Sequence, residues 1–139
     1  MDIIRKQYLK EVDSVLGVPV IKVITGMRRV GKSTLLKQIQ EMLIEKGVSP
    51  QHIISINFEW LEFEEQKDYK KLNRYIEEKI RNEGKHYVFL DEIQEVDGFE
   101  KVVNSLHSKG TCEIFITGSN STLLSGELAT YLTGRYYMI

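Results

Sequence analysis

The sequence predicts a three-layer α/β domain, a parallel sheet of about five strands with helices on both faces, and three observations carry that expectation. Apolar runs of strand length alternate with stretches of helical period, and glycines punctuate the ends of the helical stretches. The chain has 139 residues, 42% hydrophobic and 28% charged. That is enough for one core and too little for two ordinary ones.

The strand-like runs are Val20 to Thr25, His52 to Phe58, His86 to Leu90 and Cys112 to Thr117, each rich in Ile, Val, Phe or Tyr. Helical spacing links Leu35, Leu36, Ile39, Met42 and Leu43, then Leu72, Tyr75, Ile76 and Ile80, then Phe99, Val102, Val103 and Leu106. These are one-sided helices that need a sheet to face. Gly47, Gly84 and Gly110 each follow a helical pattern and precede a strand, where a left-handed end suits glycine. Asp97 and Glu100 have the spacing of a capping box ahead of the third pattern. Strands and helices alternating in this rhythm require right-handed crossovers, hence parallel strands.

Residues 1–17 form an N-terminal helical segment expected to pack on a core spanning 18–139. The stretch from Glu59 to Lys67 reads as irregular, its acids Glu59, Glu62, Glu64 and Glu65 as a solvated loop or, on a minority reading, partner contacts. Trp60 beside it reads as local packing rather than a stacking platform. Arg135 to Ile139 open a fifth strand with no polar tail behind it, so the chain is expected to be part of a longer protein.

With 19 Lys and Arg against 20 Asp and Glu, the net charge of -1 does not support a dedicated nucleic-acid binder. No run approaches the ~20 apolar residues of a membrane helix and no signal peptide opens the chain, so no membrane partner and a cytoplasmic location are expected. The single cysteine, Cys112, allows no internal disulfide and reads as a small buried side chain. His52, His86 and His107 show no metal-ligand spacing.

The segment Gly26, Met27, Arg28, Arg29, Val30, Gly31, Lys32, Ser33 fits the pattern Gly-x4-Gly-Lys-Ser/Thr, after a strand and opening a helix that continues with Thr34. Its glycines let the backbone wrap a phosphate, so that N–H groups and the positive end of the helix face the anion. Lys32 then reaches the β and γ phosphates of a nucleotide, and the Ser33 hydroxyl is a hard ligand for Mg2+. ATP and Mg2+ are therefore the expected ligands. The pattern does not specify Arg28 and Arg29. They add positive field, meet a neighbouring subunit or nucleic acid, or simply form a solvated apex.

His86 to Leu90 runs into Asp91 and Glu92, two carboxylates at the end of a strand, where α/β sites form. Asp91 suits the Mg2+ ligand opposite Ser33, and Glu92, pointing the other way, suits the general base for an attacking water. A GTPase would carry an Asn-Lys-x-Asp motif, and none is found. The fourth strand ends in a cluster of small polar residues, Thr117, Ser119, Asn120 and Ser121, which either orients water near the γ phosphate or, through Ser119, Asn120 and Ser121, caps a helix patterned from Thr122 to Leu132. Arg135 is either an arginine finger, from its own chain or in trans within a homo-oligomer, or a surface ion-pair residue.

Together, Gly26 to Ser33, Leu90 to Gln94, Thr117 to Ser121 and Leu132 to Arg135 resemble the AAA+-type ATP-binding domain of a prokaryotic predicted-ATPase family, across nearly the whole chain. The resemblance implies a sheet in the order 5-1-4-3-2, a polar sensor at Ser119 or Asn120, and a finger at Arg135. It also implies a lid and a C-terminal domain beyond this chain, with residues 2–17 supplying part of an adenine pocket. Two functions follow as expectations: Mg-dependent ATP hydrolysis, or a nucleotide-gated switch that hydrolyses little and acts through the C-terminal part. A small-metabolite phosphotransferase is a third reading.

Overall fold

The computed structural model describes residues 3–25, 29–80, 84–118, 132 and 136–139. Helix α1 (Ile3–Val15) leads into β1 (Ile21–Ile24), α2 (Arg29–Glu45), β2 (Ile53–Asn57), α3 (Tyr69–Lys79), β3 (His86–Asp91), α4 (Phe99–Lys109), β4 (Cys112–Thr117) and β5 (Tyr136–Met138). The five strands form one sheet in the order β2-β3-β4-β1-β5, which is the expected order read from its other edge. Every pairing is parallel, with Lys22 opposite Phe115, Phe89 opposite Phe115, and Asn57 opposite Asp91.

Alternation along the strands builds the layers. Val88, Leu90, Ile114 and Ile116 face α3 and α4, where they meet Leu72, Ile76, Phe99, Val103 and Leu106. Phe89, Phe115 and Ile24 face the other way, onto Val12 of α1 and Leu35, Leu36, Ile39 and Leu43 of α2. The Phe89 and Phe115 rings stack 4.6 Å apart at 9°. Their period-2 spacing meets a period-3.6 apolar stripe on α2, and truncating either ring to Ala would cost about 3–5 kcal/mol. Among the described residues no helix is long and apolar enough to cross a membrane.

Two expectations about local structure are corrected. Glu59 to Lys67 is not irregular throughout: Leu61–Lys67 form short 3-10 turns kinked at Phe63 (φ -107°, ψ 16°), whose ring meets Tyr75 edge-on. Their acids are exposed as expected, and Glu64 and Glu95 both pair with Lys67. Nor does Asp97 cap α4. The cap is Gly98, at φ 81°, with no side-chain hydrogen bond, while Asp97 forms an isolated parallel bridge with Asp68. A left-handed cap residue displaces the side-chain cap because the chain must turn sharply out of that bridge. At the other end of α4, Gly110 (φ 69°) takes the left-handed position read from the sequence.

Candidate functional site

Parallel strands all end on one side, and the polar residues at those ends converge. Lys32 and Ser33 lie in the opening turns of α2, the helix that follows β1. Asp91 is the last residue of β3 and Thr117 the last of β4. Thr117 Oγ1 donates to Asp91 Oδ1 at 2.6 Å, and Ser33 Oγ donates to Asp91 Oδ2 at 2.6 Å. Both oxygens of the Asp91 carboxylate, 5% exposed, are thus held by hydroxyls from two different elements. Lys32, also 5% exposed, donates from Nζ to the Gly118 carbonyl at 2.5 Å.

Glu92 leaves the strand abruptly. Its φ of 61° and ψ of 52° make it the described non-glycine residue with positive φ, a conformation costing about 1–2 kcal/mol for an L residue. Contacts among the described residues hold it there. Its N–H donates to Thr117 Oγ1 at 3.0 Å, its carbonyl accepts from Glu95 N at 3.1 Å, and its Oε1 accepts from Gln94 Nε2 at 2.6 Å. The side chain is 2% exposed. One hydroxyl, that of Thr117, therefore fixes the carboxylate of Asp91 and the backbone of Glu92 together.

Beside this cluster a cleft of about 580 Å³ opens between α2 and β2, bordered by Ser33, Thr34, Gln40, Asn57, Trp60 and Asp91. Trp60 is 55% exposed, and its ring stacks on that of Phe63 with centroids 6.3 Å apart. Among the described residues no three His, Cys, Asp or Glu side chains cluster as a metal site. Mg2+ is usually bound by one or two protein oxygens together with phosphates and water. Ser33 Oγ and Asp91 Oδ2, hard oxygens already side by side, fit it.

The structure brings together Lys32, Ser33, Asp91 and Glu92, with Gly31 and Thr34 on the same helix. Gly26, Met27, Arg28, Ser119, Asn120 and Arg135 lie outside the described residues, as do the side chains of Arg29 and Val30. Thr117 and Gln94 stand in the stretches Thr117 to Ser121 and Leu90 to Gln94 quoted from the sequence, which gave neither a role of its own. The available signal was a hydroxyl closing an apolar strand, and a carboxamide two residues beyond a paired acid. Away from the site, Cys112 is partly buried and its thiol is pushed up to about 11, chiefly by burial, which agrees with an inert side chain. His86 is 1% exposed and structural, its ring 4.5 Å from that of His52.

A family model described as "AAA domain" matches residues 19–139. The chain belongs to the AAA domain family. It therefore carries that family's ATPase-type, nucleotide-binding domain. An uncharacterized protein of Haemophilus influenzae is 44% identical over 136 residues, covering 97% of this chain and 34% of the relative. Another uncharacterized protein, MJ1544 of Methanocaldococcus jannaschii, is 39% identical over 119 residues, covering 83% and 24%. The AAA domain chain thus spans about a third or less of the length of these relatives. Among solved structures, C. elegans PCH-2 superposes with a TM-score of 0.64 at 15% identity, over 97% of this chain and 41% of that one. Drosophila ORC bound to AT-rich DNA and Cdc6 gives 0.63 at 12% identity, over 97% and 53%. These last two likenesses establish the fold alone.

Proposed function

We propose that this AAA domain binds ATP with Mg2+ and hydrolyses it in the cytoplasm. One observation carries the reading: Ser33 at the start of α2 and Asp91 at the end of β3 share a 2.6 Å hydrogen bond, beside the buried ammonium of Lys32. A buried cation hydrogen-bonded to a carbonyl is suited to accept a polyanion in its place.

In this reading, Lys32 and the amides of Gly26 to Thr34 grip the β and γ phosphates, with the positive end of α2 behind them. Ser33 and Asp91 are the residues that would hold Mg2+, whose charge, when bound, neutralises the phosphate oxygens. Glu92 takes a proton from the attacking water. Ser119 or Asn120 senses the γ phosphate, and Arg135, from its own chain or a second copy, stabilises the charge that develops.

The test separates binding from chemistry. Glu92→Gln should bind ATP as the wild type does and lose about 100-fold or more in kcat. Wild-type turnover by the Gln variant removes Glu92 from the mechanism. Most of the relatives' length lies outside the matched region, which favours a second reading, a nucleotide-gated switch whose output resides there. Rapid hydrolysis by this domain without any partner contradicts the switch.

A further inference from the structure

We infer that Gln94 is a positioning residue for the attacking water, its carboxamide divided between Glu92 and that water. This rests on the reading of Glu92 as the base. Two observations on Gln94 point the same way. Its Nε2 donates to Glu92 Oε1 at 2.6 Å, and its Oε1 is buried with no hydrogen-bond partner among the described residues.

A buried carbonyl oxygen left without a donor costs about 1–3 kcal/mol, and native proteins keep few of them. Gln94 sits in the 3-10 turn Ile93–Glu95, closed by Val96 N donating to Ile93 O at 3.0 Å and pinned by Ile93, which is fully buried. The positive φ of Glu92 starts this turn, so the strained residue sets where the amide of Gln94 stands.

What the pair offers is two acceptors for one double donor. A water that gives one proton to the Glu92 carboxylate and the other to Gln94 Oε1 has both O–H directions fixed and its lone pairs turned outward. In the chemical step the water oxygen bonds to phosphorus and the bond from phosphorus to the bridging oxygen of ADP breaks. Glu92 receives one proton, the second stays on the new phosphate, and the amide of Gln94 is unchanged. Gln94 acts by orientation, a contribution of the kind that positioned groups make to hydrolysis.

Gln94→Met keeps volume and packing while deleting both polar ends, and Gln94→Ala serves as a second variant. Both should lower kcat about ten- to a hundredfold, leaving the KM for ATP and equilibrium ATP binding within about twofold. In the Glu92→Gln background, Gln94→Met should have no further effect, because both residues act on one water. A readout without turnover is the binding of ADP with aluminium fluoride, which mimics the phosphoryl group in flight and its water. Gln94→Met should weaken that complex about tenfold and leave ADP binding unchanged. An unchanged or raised kcat, a parallel change in KM and melting temperature, or full additivity with Glu92→Gln overturns the inference. If the wild type turns ATP over and Gln94→Met does so equally, only Gln94 is lost. If the wild type binds ATP yet neither hydrolyses it nor prefers ADP with aluminium fluoride to ADP alone, the hydrolysis reading fails and takes the role of Gln94 with it.

Discussion

The two ends of β4 each hold buried charge, and they handle it in opposite ways. Near its start, Glu113 Oε1 pairs with Lys22 at 3.2 Å and with Lys85 at 3.3 Å, and accepts from Gly17 N at 2.7 Å. Lys22, fully buried, also donates to the Val18 carbonyl at 2.7 Å. Charge there is cancelled by opposite charge, and the spare hydrogen bonds fasten the segment between α1 and β1. Near its end, Thr117, Asp91, Lys32 and Ser33 are joined mainly through hydroxyls and a carbonyl. Neutral partners orient these charges without cancelling them. On the proposed function, that keeps an ammonium and a carboxylate open to ligands of opposite sign, so that one end of the strand serves stability and the other binding.

Perturbing each end should therefore produce different losses. The largest is expected from Glu113→Ala, which strands the Lys22 ammonium in the core and should destabilise the fold by about 3–5 kcal/mol in denaturant unfolding. Lys22→Met combined with Glu113→Leu should cost clearly less than that single change, since two charges leave together. A double variant as unstable as Glu113→Ala would mean that the hydrogen bonds to Gly17 and Val18 matter more than the charge pair.

Thr117→Val should be milder for folding and more damaging to the site. It leaves the N–H of Glu92 without its acceptor, a loss of about 1–3 kcal/mol, and releases one oxygen of Asp91. Mg-dependent ATP binding should weaken by more than Mg-independent binding, measured by calorimetry with and without the metal. Equal weakening would remove Asp91 from metal binding.

The smallest effect concerns pH and belongs to the stabilising end. Burial holds His86 below its usual value, with Nδ1 against the Gly84 carbonyl at 3.1 Å. The unfolded chain thus takes up a proton near pH 6.5 that the folded chain refuses, so stability is lost as pH falls from about 6.5. His86→Phe should flatten that part of a pH series of melting temperatures, and an unchanged slope would assign it to other groups.

How much of this was legible depended on whether the cause was local. Runs such as Cys112 to Thr117 announce a strand through β-branched and aromatic residues, and Leu35 to Leu43 announce a helix through spacing. The Gly26 to Ser33 pattern and the acids at Asp91 and Glu92 carry their chemistry in adjacent letters. The Lys22 to Glu113 pair was not legible, because 91 positions separate the two residues and a lysine in a strand reads as surface. Thr117 was legible only as one of a polar cluster closing its strand, because its particular role lies in touching residues 26 and 25 positions away. The capping of α4 was misread because Asp97 is drawn off by Asp68, a tertiary contact that no local pattern encodes.

The central claim, that the opening of α2 and the end of β3 form a Mg-nucleotide site, is tested most directly by equilibrium binding. ATP and GTP should be titrated against wild type and Lys32→Ala, with and without Mg2+. The account predicts measurable ATP affinity that strengthens with Mg2+ and falls at least about 100-fold in Lys32→Ala while the fold is retained. Folded wild-type protein with no affinity for either nucleotide, or a Lys32→Ala variant that binds as tightly as wild type, would contradict it.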